Sequence, residues 1–187
     1  MMARFYLGLG SNINPAHNLA LGLDALEQQF GALTLSPAVE SQSVGFQGDN
    51  FINLVAVVDT DRSITAVAQQ LRQIEYQYGR ELNATKFSGR TLDIDIVMVD
   101  QLQGLHEGIQ LPRIDLFEHA YTLYPLSLLL PELVPPCTTL TTAQLWQQFN
   151  DAEQALWLTS FYWQGRDISA DWLPLVQAQP VECESTG

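Results

Sequence analysis

Apolar residues recur along this chain in two periods, and the period switches at short polar or glycine-bearing breaks. Residues 4–9 (RFYLGL) are a nearly continuous apolar run ending at Gly10-Ser11-Asn12, which predicts a short buried strand. Leu19, Leu23, Leu26 and Phe30 then fall at spacings of four, three and four, the stripe of an amphipathic helix. Asn14 is placed to cap that helix, Pro15 suits its first position and Gly31 ends it. Residues 33–43 read as a weaker strand leading into a loop with Gly45 and Gly48; residues 51–58 (FINLVAVV) read as a strand rich in β-branched side chains. Ser63 caps a second predicted helix, whose stripe is Ile64, Val67, Leu71, Ile74 and Tyr78 and whose stop is Gly79. A polar loop over 80–90 precedes TLDIDIVMV at 91–99. There Leu92, Ile94, Ile96 and Met98 are predicted to face one way, and Thr91, Asp93, Asp95 and Val97 the other. Residues 101–120 read as irregular connection with a short strand near 109–111, and 122–130 and 142–149 as helices. The order strand–helix–strand–strand–helix–strand predicts an α+β, ferredoxin-like sandwich with a mostly antiparallel sheet flanked by helices.

Composition fits one globular core. The 187 residues are 47% apolar and 16% charged, which excludes a disordered chain. No apolar run approaches the ~20 residues of a membrane helix, and the N-terminal run lacks the form of a signal peptide, so a cytoplasmic protein without a membrane partner is expected. Cys137 and Cys183 alone make neither a disulfide framework nor a zinc site. A net charge of −13 argues against nucleic-acid binding. The bases are unevenly spread, however. Arg72, Arg80, Lys86 and Arg90 give residues 72–90 a charge of +2, against −15 for the remainder, which suggests a local anion site or a solvated basic loop.

The chemistry concentrates just after that loop. Asp93 and Asp95 lie two apart on one strand, so both carboxylates leave the same face, roughly 6.5–7 Å apart at the backbone. Such a pair of hard oxygen donors suits Mg²⁺, which takes one or two carboxylates and completes its shell with water and phosphate. The alternative is a polar sheet face, although aspartate is disfavoured in strands. Arg80 and Arg90 bracket the loop and offer guanidinium forks to phosphate oxygens. Carboxylates beside arginines are the parts of a phosphoryl-transfer site. No GxxxxGK[ST] loop is present, and Gly8-Leu9-Gly10 is too short for a dinucleotide fingerprint.

Several segments together resemble the 6-hydroxymethyl-7,8-dihydropterin pyrophosphokinase family. They are LGLGSNI (7–13), FIN (51–53), IEYQYGR (74–80), GRTLDIDI (89–96) and the LP…D…LYPLSLLLPEL pattern of 111–133. GRTLDIDI is the most specific. The resemblance covers about residues 4–150, implying a pyrophosphokinase-like domain over 1–150 and a C-terminal extension, 151–187, packed on it or partly disordered. It implies a transferase of folate biosynthesis, moving diphosphate from ATP onto a pterin alcohol with release of AMP. Asp93 and Asp95 would bind two Mg²⁺ ions, Arg90 would contact the phosphates and Arg80 would join loop closure, making these four the catalytic set. Glu75 would lie on the nucleotide side of the second helix. Asn53 would hydrogen-bond the pterin, with Phe87 and Tyr121 stacking on it and Ser41, Val44 and Gly45 reading its edge. Both aromatics are equally compatible with core packing.

The chain departs from the family pattern at a few positions. Leu82 replaces a second arginine, Pro112-Arg113-Ile114 stands for Pro-His-Tyr, and His119 replaces a further arginine. Arg113 and His119 would then join the ATP-binding residues. ATP is expected as co-substrate and the protein is expected to be a monomer. The alternative reading is a catalytically inactive pterin- or nucleotide-binding relative of the same fold.

Overall fold

In the computed structural model, which describes residues 1–42, 49–78, 91–150 and 154–174, the first apolar run becomes β1 (Ala3–Ser11), the strand around which the sheet assembles. It is followed by α1 (Pro15–Phe30), β2 (Thr34–Leu35), β3 (Ala38–Ser41), β4 (Phe51–Thr60), α2 (Ile64–Gln77) and β5 (Asp93–Val99). A hairpin of β6 (Gly104–His106) and β7 (Ile109–Leu111) leads to α3 (Asp115–Glu118), α4 (Ala120–Leu129) and α5 (Thr142–Gln148). Three short strands complete the described chain: β8 (Leu156–Thr159), β9 (Tyr162–Trp163) and β10 (Arg166–Asp167). The main sheet runs β5–β1–β4–β3–β8 with β2 also on β4, and every pairing is antiparallel. Helices flank it, as predicted. No helix among the described residues is long and apolar enough to cross a membrane.

Strand alternation sends side chains to two separate cores. Phe5, Leu7 and Leu9 of β1, with Leu54, Ala56 and Val58 of β4, face α1 and α2 and bury Leu19, Leu23, Leu26, Val67, Leu71 and Ile74. On the opposite face Tyr6, Val55 and Val57 pack under Leu116, Leu123 and Leu126 of α3 and α4. The molecule therefore has helices on both sides of one sheet.

Most predicted elements form, and four details differ for physical reasons. Asn14 takes the cap position in a left-handed conformation, φ 42°, and its side chain makes no capping bond; its carbonyl accepts from His17 and Asn18 instead. Ser63 does cap α2, accepting from the Ala66 N–H. That helix ends at Gln77, and Gly79, its expected stop, lies outside the described residues. The predicted strand over 33–43 is two strands, because Ser36-Pro37 interrupts it; Ser36 satisfies Val55 from both its backbone and its hydroxyl. The predicted alternation of 91–99 holds as far as Val97, which shares the face of Asp93 and Asp95, and breaks at Met98. Tyr6 pairs with Met98 but Leu7 pairs with Ile96, so Val97 is an extra residue, a β-bulge, and Met98 joins the second core rather than the first. Residues 101–120 are more regular than predicted, forming the β6–β7 hairpin and α3.

Within residues 154–174, β8 is built into the main sheet. β8 pairs with β3 from Ala38↔Thr159 to Ser41↔Leu156. Phe161, Trp163 and Ile168 join the first core, the Trp163 Nε1–H donates to Asp24 at 2.8 Å, and the Ser169 hydroxyl accepts from the Ala38 N–H at 2.9 Å. Trp163→Ala should therefore cost about 3–5 kcal/mol of unfolding free energy in urea titrations. Trp157→Ala, on an exposed residue of β8, should cost no more than about 1 kcal/mol.

Candidate active site

The pairing register builds the site in rows. Asp93 of β5 lies opposite Gly10 of β1, and Gly10 lies opposite Asn53 of β4; one row along, Asp95, Gly8 and Val55 align in the same way. Strands are spaced about 4.8 Å apart, so Asp93 and Asn53 stand about 10 Å apart with only glycine between them. The phase of β1 points Phe5, Leu7 and Leu9 into the first core, so positions 8 and 10 open on the second face. A Cβ at Gly10 would meet Asn53 Oδ1 at 2.7 Å, and one at Gly8 would meet Val97 Cγ2 at 3.2 Å. The two glycines thus floor a trough, part of a cavity of about 320 Å³. Its opposite wall comes from Arg113, Asp115, His119, Tyr121 and Thr122.

One end of the trough is suited to a flat polar heterocycle. The Asn53 amide donates to the Ser41 hydroxyl at 2.9 Å, and both residues are buried. Tyr121 stacks on His119 with ring centroids 4.9 Å apart and planes 11° from parallel. Burial pushes the Tyr121 phenol up to about 12, with Asp115, Asp93 and Asp95 adding to the rise, so it stays a hydrogen-bond donor at neutral pH.

The other end is ionic. Arg113 Nη1 lies 3.2 Å from Asp95 Oδ1, while its Nε donates to Asp115 Oδ2 at 2.7 Å. Burial works against the guanidinium charge, but Asp95, then Asp115 and Asp93, more than offset it and hold Arg113 above its ordinary value. Asp115 also meets His119 Nε2 at 3.3 Å. Among the described residues, His119 Nδ1 is a buried atom with no hydrogen-bond partner. No group of three or more His, Cys, Asp or Glu residues suited to a metal occurs among them either. The donor set is thus two carboxylates on one strand face, which fits Mg²⁺ sharing its shell with water and phosphate and does not fit an all-protein cage.

Ser41, Asn53, Asp93, Asp95, Arg113, His119 and Tyr121 are therefore brought to one cavity. Glu75 does not line it. It is buried, at 2% exposure, and accepts the Ile94 N–H at 2.9 Å, bracing β5 between its two aspartates. Val44, Gly45, Arg80, Phe87 and Arg90 lie outside the described residues. Sequence reasoning assigned no role to Gly8, Gly10 or Asp115. The glycines had a usable signal, since they alternate with Leu7 and Leu9 and so share a bare strand face. Asp115 had none, because its value lies in contacts across the cavity.

Comparison with known proteins bears on the same region. Residues 6–131 match the family model described as 7,8-dihydro-6-hydroxymethylpterin-pyrophosphokinase (HPPK). The 2-amino-4-hydroxy-6-hydroxymethyldihydropteridine pyrophosphokinase of Haemophilus influenzae is 30% identical over 154 residues, covering 80% of this chain and 95% of that protein. Its counterpart from Pseudomonas aeruginosa is 33% identical over 141 residues, covering 73% and 86%. Among solved structures, a Plasmodium falciparum HPPK-DHPS aligns over 79% of this chain with a TM-score of 0.64 at 12% identity. This chain spans 43% of that longer one, and the likeness speaks to fold alone.

Two substitutions probe how the site is built. Gly10→Ala should displace Asn53 from Ser41 and reduce the affinity of any ligand held by Asn53 at least tenfold, measured by calorimetry, because the new methyl and the amide oxygen compete for one space. Glu75→Ala strands a buried N–H and should cost about 1–3 kcal/mol, with faster hydrogen exchange at the Ile94 amide. Glu75→Gln, which still offers an acceptor, should restore most of that protection.

Proposed function

The chain belongs to the 7,8-dihydro-6-hydroxymethylpterin-pyrophosphokinase family, and from that premise we propose that it transfers diphosphate from ATP to 6-hydroxymethyl-7,8-dihydropterin in folate biosynthesis. The observation that carries this reading is the row Asp93·Gly10·Asn53, which sets a carboxylate and an amide on one face with a bare strand between them. In the proposed reaction the pterin hydroxyl oxygen bonds to the β-phosphorus of ATP. The bond from that phosphorus to the oxygen bridging to the α-phosphate breaks, AMP leaves, and the hydroxyl proton passes to solvent.

Asn53 and Ser41 orient the pterin edge, and Tyr121 covers its ring, which fixes where the hydroxyl points. Arg113 and His119 face the phosphates with donors. Glu75 acts through the β5 backbone rather than by touching the nucleotide. Bound Mg²⁺, two ions in this proposal, supplies Lewis-acid neutralisation of the phosphate oxygens, and Asp93 and Asp95 are the residues that would hold it. Arg80 and Arg90 are assigned to the phosphates, and Val44, Gly45 and Phe87 to the pterin, by the family pattern. The inactive-binder alternative has no observation in its favour, since the carboxylates, the amide and the bare strand are all retained.

We further read the split crossovers β1–α1–β3 and β4–α2–β5 as a ferredoxin-like core, with 1–150 as the pyrophosphokinase-like domain and 151–187 as an extension that adds a strand to it. A cytoplasmic monomer is the form proposed to act. Incubation with Mg-ATP and the pterin alcohol should release AMP and not ADP. Asp93→Ala and Asp95→Ala should each lower turnover at least about a hundredfold while leaving the melting temperature within a few degrees, because neither side chain belongs to a core. Near-normal activity of both variants at low Mg²⁺ would show that the carboxylate pair is not the metal site.

A further inference from the structure

Arg113 is held at three points. Its backbone N–H donates to the Val97 carbonyl at 2.8 Å, just where the β5 bulge ends the strand's alternation. Its Nε donates to Asp115 at 2.7 Å, and its Nη1 reaches Asp95 at 3.2 Å. A guanidinium has donors on two edges of its fork, so one arginine can serve two carboxylates at once. The contact with Asp95 is the longer of the two, and Asp95 is the more exposed carboxylate, 45% against 25%. By length and exposure, the pairing with Asp95 is the weaker of the two.

Resting on the metal reading above, we propose that Arg113 is a built-in competitor for the divalent cation at Asp95, and that it gives up Asp95 while keeping Asp115 when the cation binds. A carboxylate oxygen paired with a guanidinium is poorly available to a dication, and the fixed positive charge repels it further. Free metal thus binds at a disadvantage. Metal arriving with a nucleotide does not, because the phosphates give the displaced guanidinium edge a new anion. Arg113 so makes the site selective for the metal–nucleotide complex over the metal alone.

The test is Mn²⁺ titration of the nucleotide-free protein, read by electron paramagnetic resonance, for the parent chain and for Arg113→Gln, Arg113→Lys and Asp95→Asn. Arg113→Gln should bind Mn²⁺ three- to tenfold more tightly, and Asp95→Asn more weakly. Arg113→Lys keeps the charge but cannot bridge both carboxylates, and should fall between Gln and the parent. In the parent chain, arginine side-chain NMR should show saturating Mg²⁺ freeing the Nη groups of Arg113 while its Nε–H stays protected by Asp115. If Asp95→Asn weakens Mn²⁺ binding but Arg113→Gln does not tighten it, the competition is wrong and the metal site stands. A Lys variant equal to the parent reduces Arg113 to a general field and also overturns the shared carboxylate, as do unchanged Nη signals at saturating Mg²⁺. If Asp95→Asn leaves Mn²⁺ binding unaltered, the metal reading falls and the competition with it.

Discussion

The site depends on a strand with side chains on one face only. Over Leu7–Gly8–Leu9–Gly10, β1 fills the core beneath α1 and α2 and leaves nothing on the other side. Because β1 is paired on both edges, this bare stretch lies in the interior of the sheet, flanked by aspartates from β5 and by Asn53 from β4. The trough is therefore a by-product of pairing, and it cannot drift without slipping a register that would turn Leu7 and Leu9 out of the core. Rigidity is obtained from burial on the far face. Glycine ordinarily weakens a strand, and here the loss is offset by nine consecutive pairings with β4.

Among the described residues the acidic pair lies on an edge strand, β5. Two unrelated parts of the chain brace its backbone. Glu75 from α2 takes the Ile94 N–H, and Arg113 gives its own N–H to the Val97 carbonyl. Both bonds fall within four residues of β5, so the strand is fixed from outside the sheet next to the carboxylates it carries. The bulge at Val97 belongs to the same arrangement. It ends the alternation after the second aspartate and returns Met98 to the core above the sheet, closing the polar segment without ending the strand.

Much of this was legible in the sequence. Periodicity located β1, α1, β4, α2 and β5, since each carries an apolar face long enough to show its period. The aspartate spacing placed both carboxylates on one face, and family resemblance singled out Asn53, Ser41 and Tyr121, which share the cavity with them. Apart from Gly8 and Gly10, whose alternation with Leu7 and Leu9 was readable, what escaped were features with no local signal. Two-residue strands are too short to show a period, and a bulge is visible only against a partner strand. The bracing role of Glu75 and the double contact of Asp115 depend on groups brought near by folding. A helical stripe running through Ile74 gives no hint that its neighbour Glu75 turns inward to a backbone N–H.

The pairing of β8 with β3 also bears on the order in which the sheet is made. Glu40 and its partner Trp157 are 117 residues apart, which makes this one of the least local contacts in the molecule. Synthesis at about 5–20 residues per second would separate the two by roughly 6–23 s. For most of that interval, once Thr60 has been made, β4 is available to pair with β3 while the outer edge of β3 exposes unpaired backbone. A nascent chain in this state presents an open strand edge ending at Ser41, beside the pocket, to any other extended segment nearby. β8, the last strand of the main sheet, therefore acts as a late seal, and the period before it closes is when this fold is most exposed to mispairing.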